Sequence, residues 1–195
     1  MIHFIEQIYR DSKNYKGIVF LDRDGTINKE AKYLQRENQI EILPSVTQGI
    51  RLLNQNNIAV IVITNQPVIA HGLITIEDLK HINDALVKML LQKNAYIDAV
   101  YSCPHHPHAD LLDFRVNCVC RKPEIAMHTA AITHYKNSQI RGVIGDQTRD
   151  IQAGYTIETK TVLVKTGYKG GDGKYDSIPN FTCNTFLEAV EFLLQ

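Results

Sequence analysis

The 195-residue sequence lacks an excess of charge of either sign. Lysine plus arginine and aspartate plus glutamate both number 21, so the net charge is near zero. A neutral chain has no broad basic field to hold nucleic acid, and we therefore expect a small partner rather than a polymer. The sequence also lacks any apolar run of the roughly 20 residues that a membrane-spanning helix requires. Without such a run we expect no membrane partner.

The N-terminus lacks the features of an export signal. Residues 1–16 mix charged residues among the apolar ones and contain no small-residue cleavage site. We therefore expect a cytoplasmic protein, in which thiols remain reduced. The sequence has only four cysteines, and in that compartment they are expected to be metal ligands or buried thiols before disulfides.

The length favours a single domain over residues 1–195, and no marker of oligomerisation is present, so we expect a monomer. Residues 1–16 are predicted to form a short amphipathic helix at its N-terminal end. The apolar residues that recur there at helical spacing are Ile2, Ile5, Ile8 and Tyr9.

Short apolar runs alternate with helical patterns through most of the chain. The runs that predict strands are Gly17–Leu21, Ile58–Ile63, Ile97–Tyr101, Arg141–Gly145 and Thr161–Val164. The segments that predict helices are 44–56, 75–93, 124–135, 148–153 and 186–194, and Thr75 with Asp78 forms a capping box. This alternation is typical of an α/β fold, a Rossmann-like parallel sheet with helices on both faces.

Paired carboxylates follow two of these strands. Asp22 and Asp24 come directly after the first strand, and such close carboxylates are stable mainly when a cation lies between them. Magnesium suits an all-oxygen site of this kind, although a solvated Asp-Gly turn is an alternative for this pair alone. Asp146 is placed to complete the magnesium shell. Asp150 either orients a ligand from outside that shell or complements a helix N-terminus.

Polar residues at other strand ends offer groups that bind an anion. Thr64-Asn-Gln66 ends the most hydrophobic strand and supplies a hydroxyl and amides, and Lys122 supplies positive charge for a phosphoryl group. Ligands of parallel sheets bind at the carboxyl ends of the strands. We therefore expect Asp22, Thr64 and Asp146 to converge at one edge.

In this order the motifs resemble the haloacid dehalogenase superfamily of phosphohydrolases. That pattern is Asp-x-Asp-Gly-Thr, a Thr or Ser after the second strand, a Lys, and Gly-Asp-x-x-x-Asp, and the match spans residues 17–164. The resemblance implies an aspartyl-phosphate on Asp22 and general acid/base chemistry by Asp24. It also implies that Thr64 and Lys122 stabilise the phosphoryl oxygens.

The same resemblance implies a bound Mg²⁺. Its ligands would be Asp22, Asp146 and the main-chain carbonyl of Asp24, with Asp150 in the outer shell.

A second metal site is predicted in the loop 103–122. Its ligands would be Cys103, His105, Cys118 and Cys120, which make a closed tetrahedral zinc site of structural type. His106 and His108 compete for the histidine position, but the single intervening residue favours His105. Buried thiols with solvated histidines are the alternative. A zinc-stabilised loop would help to position the adjacent Lys122, whereas Cys183 is expected to be a small apolar residue.

The zinc loop also resembles the D-glycero-D-manno-heptose 1,7-bisphosphate 7-phosphatases, a family with little or no cap domain. The residues that carry the likeness are Cys-Pro-His-His-Pro from 103 and Cys-x-Cys-Arg-Lys-Pro from 118. This resemblance implies a phosphorylated sugar as substrate and a role in supplying nucleotide-heptose for surface lipopolysaccharide. Histidinol-phosphate phosphatases share the zinc ligands and form one alternative, and a catalytically silent binding module forms another.

Seven further residues are predicted to contact the substrate: Arg23, Thr26, Asn28, Asn65, Gln66, Arg121 and Gln147. The sequence departs from the family pattern nearby, with Pro67, His71 and Gln147 where that pattern has Ser, Arg and a basic residue. The last two changes reduce the fixed positive charge where a second phosphate would be recognised, and Arg121 remains as a candidate for that role.

Overall fold

A seven-stranded sheet forms the centre of the computed structural model, which describes residues 4–11 and 14–195. Its strands are β1 (Ile5–Ile8), β2 (Gly17–Leu21), β3 (Ile58–Asn65), β4 (Ala99–Cys103), β5 (Gln139–Gly145), β6 (Thr161–Val164) and β7 (Phe181–Cys183). The spatial order is β1-β4-β3-β2-β5-β6-β7. Every neighbouring pair is parallel except β1 with β4. The predicted α/β fold with a Rossmann-like parallel sheet is confirmed.

Helices cover both faces of this sheet. They are α1 (Val46–Gln55), α2 (Pro67–Ala70), α3 (Ile76–Leu91), α4 (Ala126–His134), α5 (Thr148–Thr156) and α6 (Phe186–Leu194). Ile18 and Phe20 of β2 pack with residues of α4, whereas Val19 and Leu21 pack with α1, α3 and α6. All four side chains are buried, as an unbroken apolar strand requires.

The capping box predicted at Thr75 is present at the start of α3. Thr75 Oγ1 accepts a hydrogen bond from the Asp78 amide at 3.1 Å, and Asp78 Oδ2 accepts one from the Thr75 amide at 2.8 Å. The short elements α2 and β7 were not predicted. Within the described residues no helix has both the length and the apolar character needed to cross a membrane.

The helix predicted for residues 1–16 is wrong where the structure describes it. Ile5–Ile8 form β1, which pairs antiparallel with β4 from Ile5 opposite Ser102 to Ile8 opposite Ala99. The free edge of β4 offers unpaired amides and carbonyls, and satisfying them outweighs the helical spacing of a few apolar residues. Ile2 lies outside the described residues.

The chain reverses its direction of travel across the sheet at β2. From β2 it proceeds to β3 and β4 on one side, and then returns to add β5 and β6 on the other. In open parallel sheets a crevice forms at the carboxyl ends of the strands at such a reversal. The segments that follow β2 and β5, which carry Asp22 and Asp146, therefore lie on either side of this crevice.

Candidate active site

Lys122 lies at the centre of the crevice. Its Nζ is 2.8 Å from Asp22 Oδ1 and 2.6 Å from Asp150 Oδ1, and it donates to the Ile63 carbonyl at 2.6 Å. Two of the three ammonium hydrogens are donated to Asp22 and to the Ile63 carbonyl, and the contact with Asp150 is an ion pair. The side chain is buried, so the lysine is held beside Asp22 in one position.

The backbone of Lys122 is fixed by Asn65 at the end of β3. Asn65 Oδ1 accepts from the Lys122 amide at 2.9 Å, and its Nδ2 donates to the Lys122 carbonyl at 3.1 Å. These two bonds tie the segment after the loop 103–122 to the sheet. Asn65 therefore positions the lysine as well as lining the crevice.

Three buried carboxylates face one another beside the lysine. Oxygen atoms of Asp22, Asp146 and Asp150 all lie within 4.8 Å of one another. Burial, reinforced by the charges of Asp22 and Asp150, raises the pKa of Asp146 to about 8. Burial also raises the pKa of Asp22 to about 6, against the opposing effect of Lys122. Three carboxylates and one ammonium leave two formal negative charges uncompensated.

Asp146 has an oxygen available for a cation. Its Oδ2 accepts from the Tyr168 amide at 2.6 Å, but its buried Oδ1 has no hydrogen-bond partner among the described residues. An unpaired buried carboxylate oxygen next to two further carboxylates suits a hard divalent cation. The residues present therefore fit Mg²⁺.

Gly25 allows the loop after β2 to approach Asp146 closely. A Cβ at Gly25 would lie 2.4 Å from Asp146 Oδ2, and the residue has a φ of +81°. A side chain would collide with the carboxylate and strain the backbone. The Asp-Gly sequence is thus a requirement of the site and not only of a solvated turn.

The carboxylate of Asp24 is surrounded by donors. Arg23 donates to it through Nε and NH2, the shortest contact being 2.8 Å. Asn28 Nδ2 donates to Oδ1 at 2.9 Å, and Gln66 Nε2 donates to Oδ2 at 2.8 Å. Burial opposes ionisation, but Arg23 and the hydrogen bonds prevail and lower the pKa of Asp24. Asp24 is therefore held as a carboxylate.

Thr64 is linked to Asp24 through Gln66. Gln66 Nε2 donates to Thr64 Oγ1 at 2.8 Å as well as to Asp24. The bridge brings the ends of β2 and β3 together, and the carboxylates of Asp22 and Asp146 lie close to each other. Asp22, Thr64 and Asp146 therefore lie at the same edge of the sheet, as expected.

These groups surround a cavity of about 210 Å³. Four of the seven residues predicted to contact substrate line it: Asn65, Gln66, Arg121 and Gln147. The other three, Arg23, Thr26 and Asn28, are at most 1% exposed and lie beneath the cavity. The guanidinium of Arg23 faces Asp24 and Asn83 instead of the cavity.

Sequence reasoning missed several residues that line the cavity. Glu30, Lys32 and Tyr33 come from the polar loop after β2, Tyr168 follows β6, and Arg149 lies inside the Gly-Asp-x-x-x-Asp motif. Arg149 and Tyr168 both follow strands closely, and that position was a usable signal. The loop residues had no such signal because their pattern is not periodic.

The four predicted zinc ligands come together. The Sγ atoms of Cys103, Cys118 and Cys120 are separated by 3.1 to 3.5 Å. His105 Nδ1 lies 3.4 Å from Cys120 Sγ and 3.8 Å from Cys103 Sγ. Ligands at tetrahedral zinc–sulfur distances would be separated by about 3.8 Å, so the cluster fits a zinc ion with slight expansion.

A second cavity, of about 490 Å³, adjoins the first and shares Arg121, Lys122 and Arg149 with it. Its other charged or titratable lining residues are His106, His108, Cys118, Glu124, Lys174 and Tyr175. Burial and the charge of Arg149 lower the pKa of Arg121. No carboxylate of the described residues forms an ion pair with Arg121, Arg149 or Lys174. The cavity therefore has unpaired positive charge.

A parallel sheet with carboxylates after β2 and β5, a threonine ending β3 and a lysine before α4 defines a phosphohydrolase of the haloacid dehalogenase type. The family model described as HAD-hydrolase-like matches residues 119–189. The D-glycero-beta-D-manno-heptose-1,7-bisphosphate 7-phosphatase of Escherichia coli (strain K12) is 34% identical over 151 residues, which cover 76% of this chain and 79% of that protein. The chain belongs to the family of these phosphatases and is a phosphomonoester hydrolase.

Two further relatives extend the similarity over nearly the whole chain. The enzyme of the same name from Haemophilus influenzae is 28% identical over 177 residues, or 90% of this chain and 95% of that protein. A crystal structure of D,D-heptose 1.7-bisphosphate phosphatase from B. bronchiseptica, complexed with magnesium and phosphate, superposes with a TM-score of 0.77. It is 29% identical and covers 92% of this chain and 98% of its own.

Proposed function

We propose that the chain is a Mg²⁺-dependent phosphatase that removes the 7-phosphate of D-glycero-D-manno-heptose 1,7-bisphosphate through an aspartyl-phosphate on Asp22. This proposal rests mainly on the group formed by Asp22, Lys122 and Asp146. In it a nucleophile, a fixed ammonium and a carboxylate oxygen without a hydrogen-bond partner lie in one crevice. The names of the relatives support the choice of substrate. We also propose that residues 1–195 act as one domain and as a monomer in the cytoplasm.

In the first step a carboxylate oxygen of Asp22 forms a bond to phosphorus while the bond to the sugar oxygen breaks. The negative charge of the bound substrate favours proton uptake by Asp24, which then gives this proton to the departing sugar oxygen. Lys122 and the hydroxyl of Thr64 stabilise the phosphoryl oxygens. In the second step Asp24, now a carboxylate, takes a proton from a water molecule that attacks phosphorus. The bond between phosphorus and the Asp22 oxygen breaks, so inorganic phosphate leaves and the Asp22 carboxylate is regenerated.

Asp22, Asp146 and the main-chain carbonyl of Asp24 would hold Mg²⁺, with Asp150 outside the shell. When bound, the ion supplies positive charge between the nucleophile and the phosphate. Asp150 contacts both Lys122 and the amide of Gln147, the latter at 3.2 Å. It is therefore placed to hold the lysine and the turn after β5 in position.

The second cavity supports a substrate with two phosphate groups. Gln147 lacks the charge that the family pattern has there, but Arg149 donates to Gln147 Oε1 and brings a guanidinium to the same place. With Arg121 and Lys174 it supplies unpaired positive charge beside the reaction site. A second phosphate of the substrate would be stabilised there.

A panel of phosphate esters with Mg²⁺ tests this proposal. We expect the heptose 1,7-bisphosphate to be hydrolysed with higher kcat/KM than heptose 7-phosphate or histidinol phosphate, and ³¹P NMR to show loss of the 7-phosphate. Preference for histidinol phosphate would favour that alternative, and binding of sugar phosphate without turnover would favour a silent module. Asp22→Asn should lower kcat by at least about a thousandfold, because the nucleophile is lost.

Arg149→Gln tests whether Arg149 binds the second phosphate of the substrate and not the phosphate that is removed. It should lower kcat/KM for the bisphosphate by about tenfold and leave that for heptose 7-phosphate within about twofold, because only the second phosphate loses a charged partner. Lys165→Gln also replaces a positive side chain by an uncharged one, but it lies outside both cavities and serves as the control. Equal losses for the two substrates would contradict the assignment.

A further inference from the structure

We propose that Gln7 and Asn83 are positioning residues for Asp24, acting through the buried guanidinium of Arg23. The inference rests on the function proposed for Asp24 as the acid/base. It gives the N-terminal strand β1 a part in the reaction beyond covering the edge of the sheet.

A continuous line of hydrogen bonds joins β1 to the active site. Arg23 NH1 donates to Asn83 Oδ1 at 3.0 Å, and Asn83 Nδ2 donates to Gln7 Oε1 at 2.9 Å. The Nε and NH2 atoms of the same guanidinium donate to Asp24. Arg23 and Asn83 are at most 1% exposed, so water does not compete for the bond between them.

The far end of the line is anchored on α3. Gln7 Nε2, which has two hydrogens to donate, lies 2.9 Å from Asp84 Oδ1, 2.9 Å from the Tyr9 hydroxyl and 3.2 Å from the Lys80 carbonyl. The Tyr9 hydroxyl in turn donates to Asp84 Oδ1 at 2.7 Å. Pairing of β1 with β4 holds Gln7 over this part of α3.

The two ends determine how both amides are oriented. A guanidinium only donates, so the atom of Asn83 that faces Arg23 must be its oxygen. A carboxylate only accepts, so the atom of Gln7 that faces Asp84 must be its nitrogen. Between them the Asn83 nitrogen meets the Gln7 oxygen. Turning either amide around would place like groups against each other, so the line has one stable arrangement.

This arrangement fixes the plane of the Arg23 guanidinium. Asn83 holds NH1 while Asp24 receives Nε and NH2, so rotation of the planar group would break a bond at one end or the other. Without Asn83 a buried N–H would lack a partner, and the guanidinium would turn to find one. The Asp24 carboxylate would then lose its set orientation towards the leaving group and the water.

Loss of this line should affect turnover and not substrate binding. Arg23 and Asn83 do not line the cavity, and Gln7 lies on a different part of the sheet. We expect Gln7→Ala and Asn83→Ala each to lower kcat by about tenfold, with KM changed by less than about twofold. The double variant should lose little more than either single variant, because residues acting in one line are not additive.

Lys80→Ala is the matched control, since the line uses only the main-chain carbonyl of that residue and its exposed side chain pairs with Glu77. A spectroscopic measurement separates positioning from general destabilisation. The Arg23 Nε–Hε signal in an ¹⁵N NMR spectrum should shift in both variants and remain unchanged in Lys80→Ala. Melting temperatures are measured alongside. If Asn83→Ala fails to fold, the test rests on Gln7→Ala. Gln7 is only half buried, so its substitution should leave the fold intact.

Asp24→Asn distinguishes failure of the inference from failure of the proposed function. Full activity in Asp24→Asn would overturn the acid/base role itself. Inactive Asp24→Asn together with unchanged kcat and an unchanged Arg23 signal in Gln7→Ala would overturn only the positioning role. Multiplicative losses in the double variant would show that Gln7 and Asn83 act independently, and would also overturn it.

Discussion

Lys122 Nζ lies 2.8 Å from Asp22 Oδ1, although 100 positions separate the two residues along the chain. The contact forms because β2 presents Asp22 at its end, while Asn65 and the Cys/His cluster hold the segment before α4 against the same edge. Both side chains are buried, so their charges depend on each other and on Asp150. The lysine therefore has a structural role as well as its proposed role towards phosphate.

Lys122→Met tests that structural role. The substitution keeps an unbranched side chain but removes the ammonium from two buried carboxylates, so we expect the free energy of unfolding to fall by about 3 kcal/mol in Mg²⁺-free buffer. Urea unfolding measures the change, and added Mg²⁺ should restore part of the loss. Lys80→Met, at an exposed ion pair, should change stability by less than about 1 kcal/mol. Equal stability of Lys122→Met and the parent would contradict the interpretation.

Asp146→Asn should separate stability from Mg²⁺ binding. The buried Asp146 carboxylate has an unpaired oxygen and a pKa raised by burial and neighbouring charge. Neutralising it should raise the melting temperature of the Mg²⁺-free protein and abolish the further rise on adding Mg²⁺. In the parent, Mg²⁺ at a hundred times its Kd should contribute about 2.7 kcal/mol. Asp176→Asn, on the surface, should keep the full response, and a persistent response in Asp146→Asn would place the ion elsewhere.

The convergence of the main site residues followed from the sequence, because each of them is tied to the end of a strand. Asp22 and Asp146 each come after an apolar run, Thr64 lies at the end of one, and parallel strands bring their ends to one edge. The Cys/His cluster was likewise predicted from the local spacing of Cys103, His105 and the Cys118–Cys120 pair. Short-range patterns were sufficient in these places.

Contacts between distant segments could not be predicted in the same way. β1 forms because β4 has a free edge with which it can pair. The spacing of Ile5 and Ile8 along the sequence gives no information about that edge. The burial of Arg23 under Asp24 depends on Asn83 from α3, sixty positions away. Side chains from the loop after β2 enter the cavity without a periodic pattern. These features depend on tertiary packing, which overrides local preference.

Cys118→Ser tests the zinc site predicted in the loop 103–122. Replacing one of four ligands should lower tightly bound zinc from about one ion per chain to a small fraction and lower the melting temperature. Activity should fall as well, because the loop leads into Lys122. Cys183→Ser is the matched control: Cys183 is buried in β7, outside the Cys/His cluster, and zinc content should be unchanged. Full zinc content in Cys118→Ser would exclude this ligand set.

His128 gives a prediction about pH that is separate from the reaction. The side chain is fully buried on α4 with the Phe20 ring at its edge, and neither ring nitrogen has a hydrogen-bond partner among the described residues. Burial, together with the charge of Lys122, lowers the pKa of His128 to about 3. His128→Leu should raise the free energy of unfolding by about 1–3 kcal/mol at neutral pH, because an unsatisfied polar group is removed from the core.

The same histidine should make the protein less stable in mild acid. In the unfolded chain His128 takes up a proton near pH 6.5, but in the folded protein it does so only near pH 3. Its contribution is therefore constant above pH 6.5, and stability falls by about 1.4 kcal/mol for each pH unit below it. Urea unfolding from pH 7 to pH 5 should show a shallower loss in His128→Leu than in the parent. His81→Leu, at an exposed histidine, should lose stability with falling pH in the same way as the parent. Parallel curves for His128→Leu and the parent would show that folding does not lower the pKa of His128.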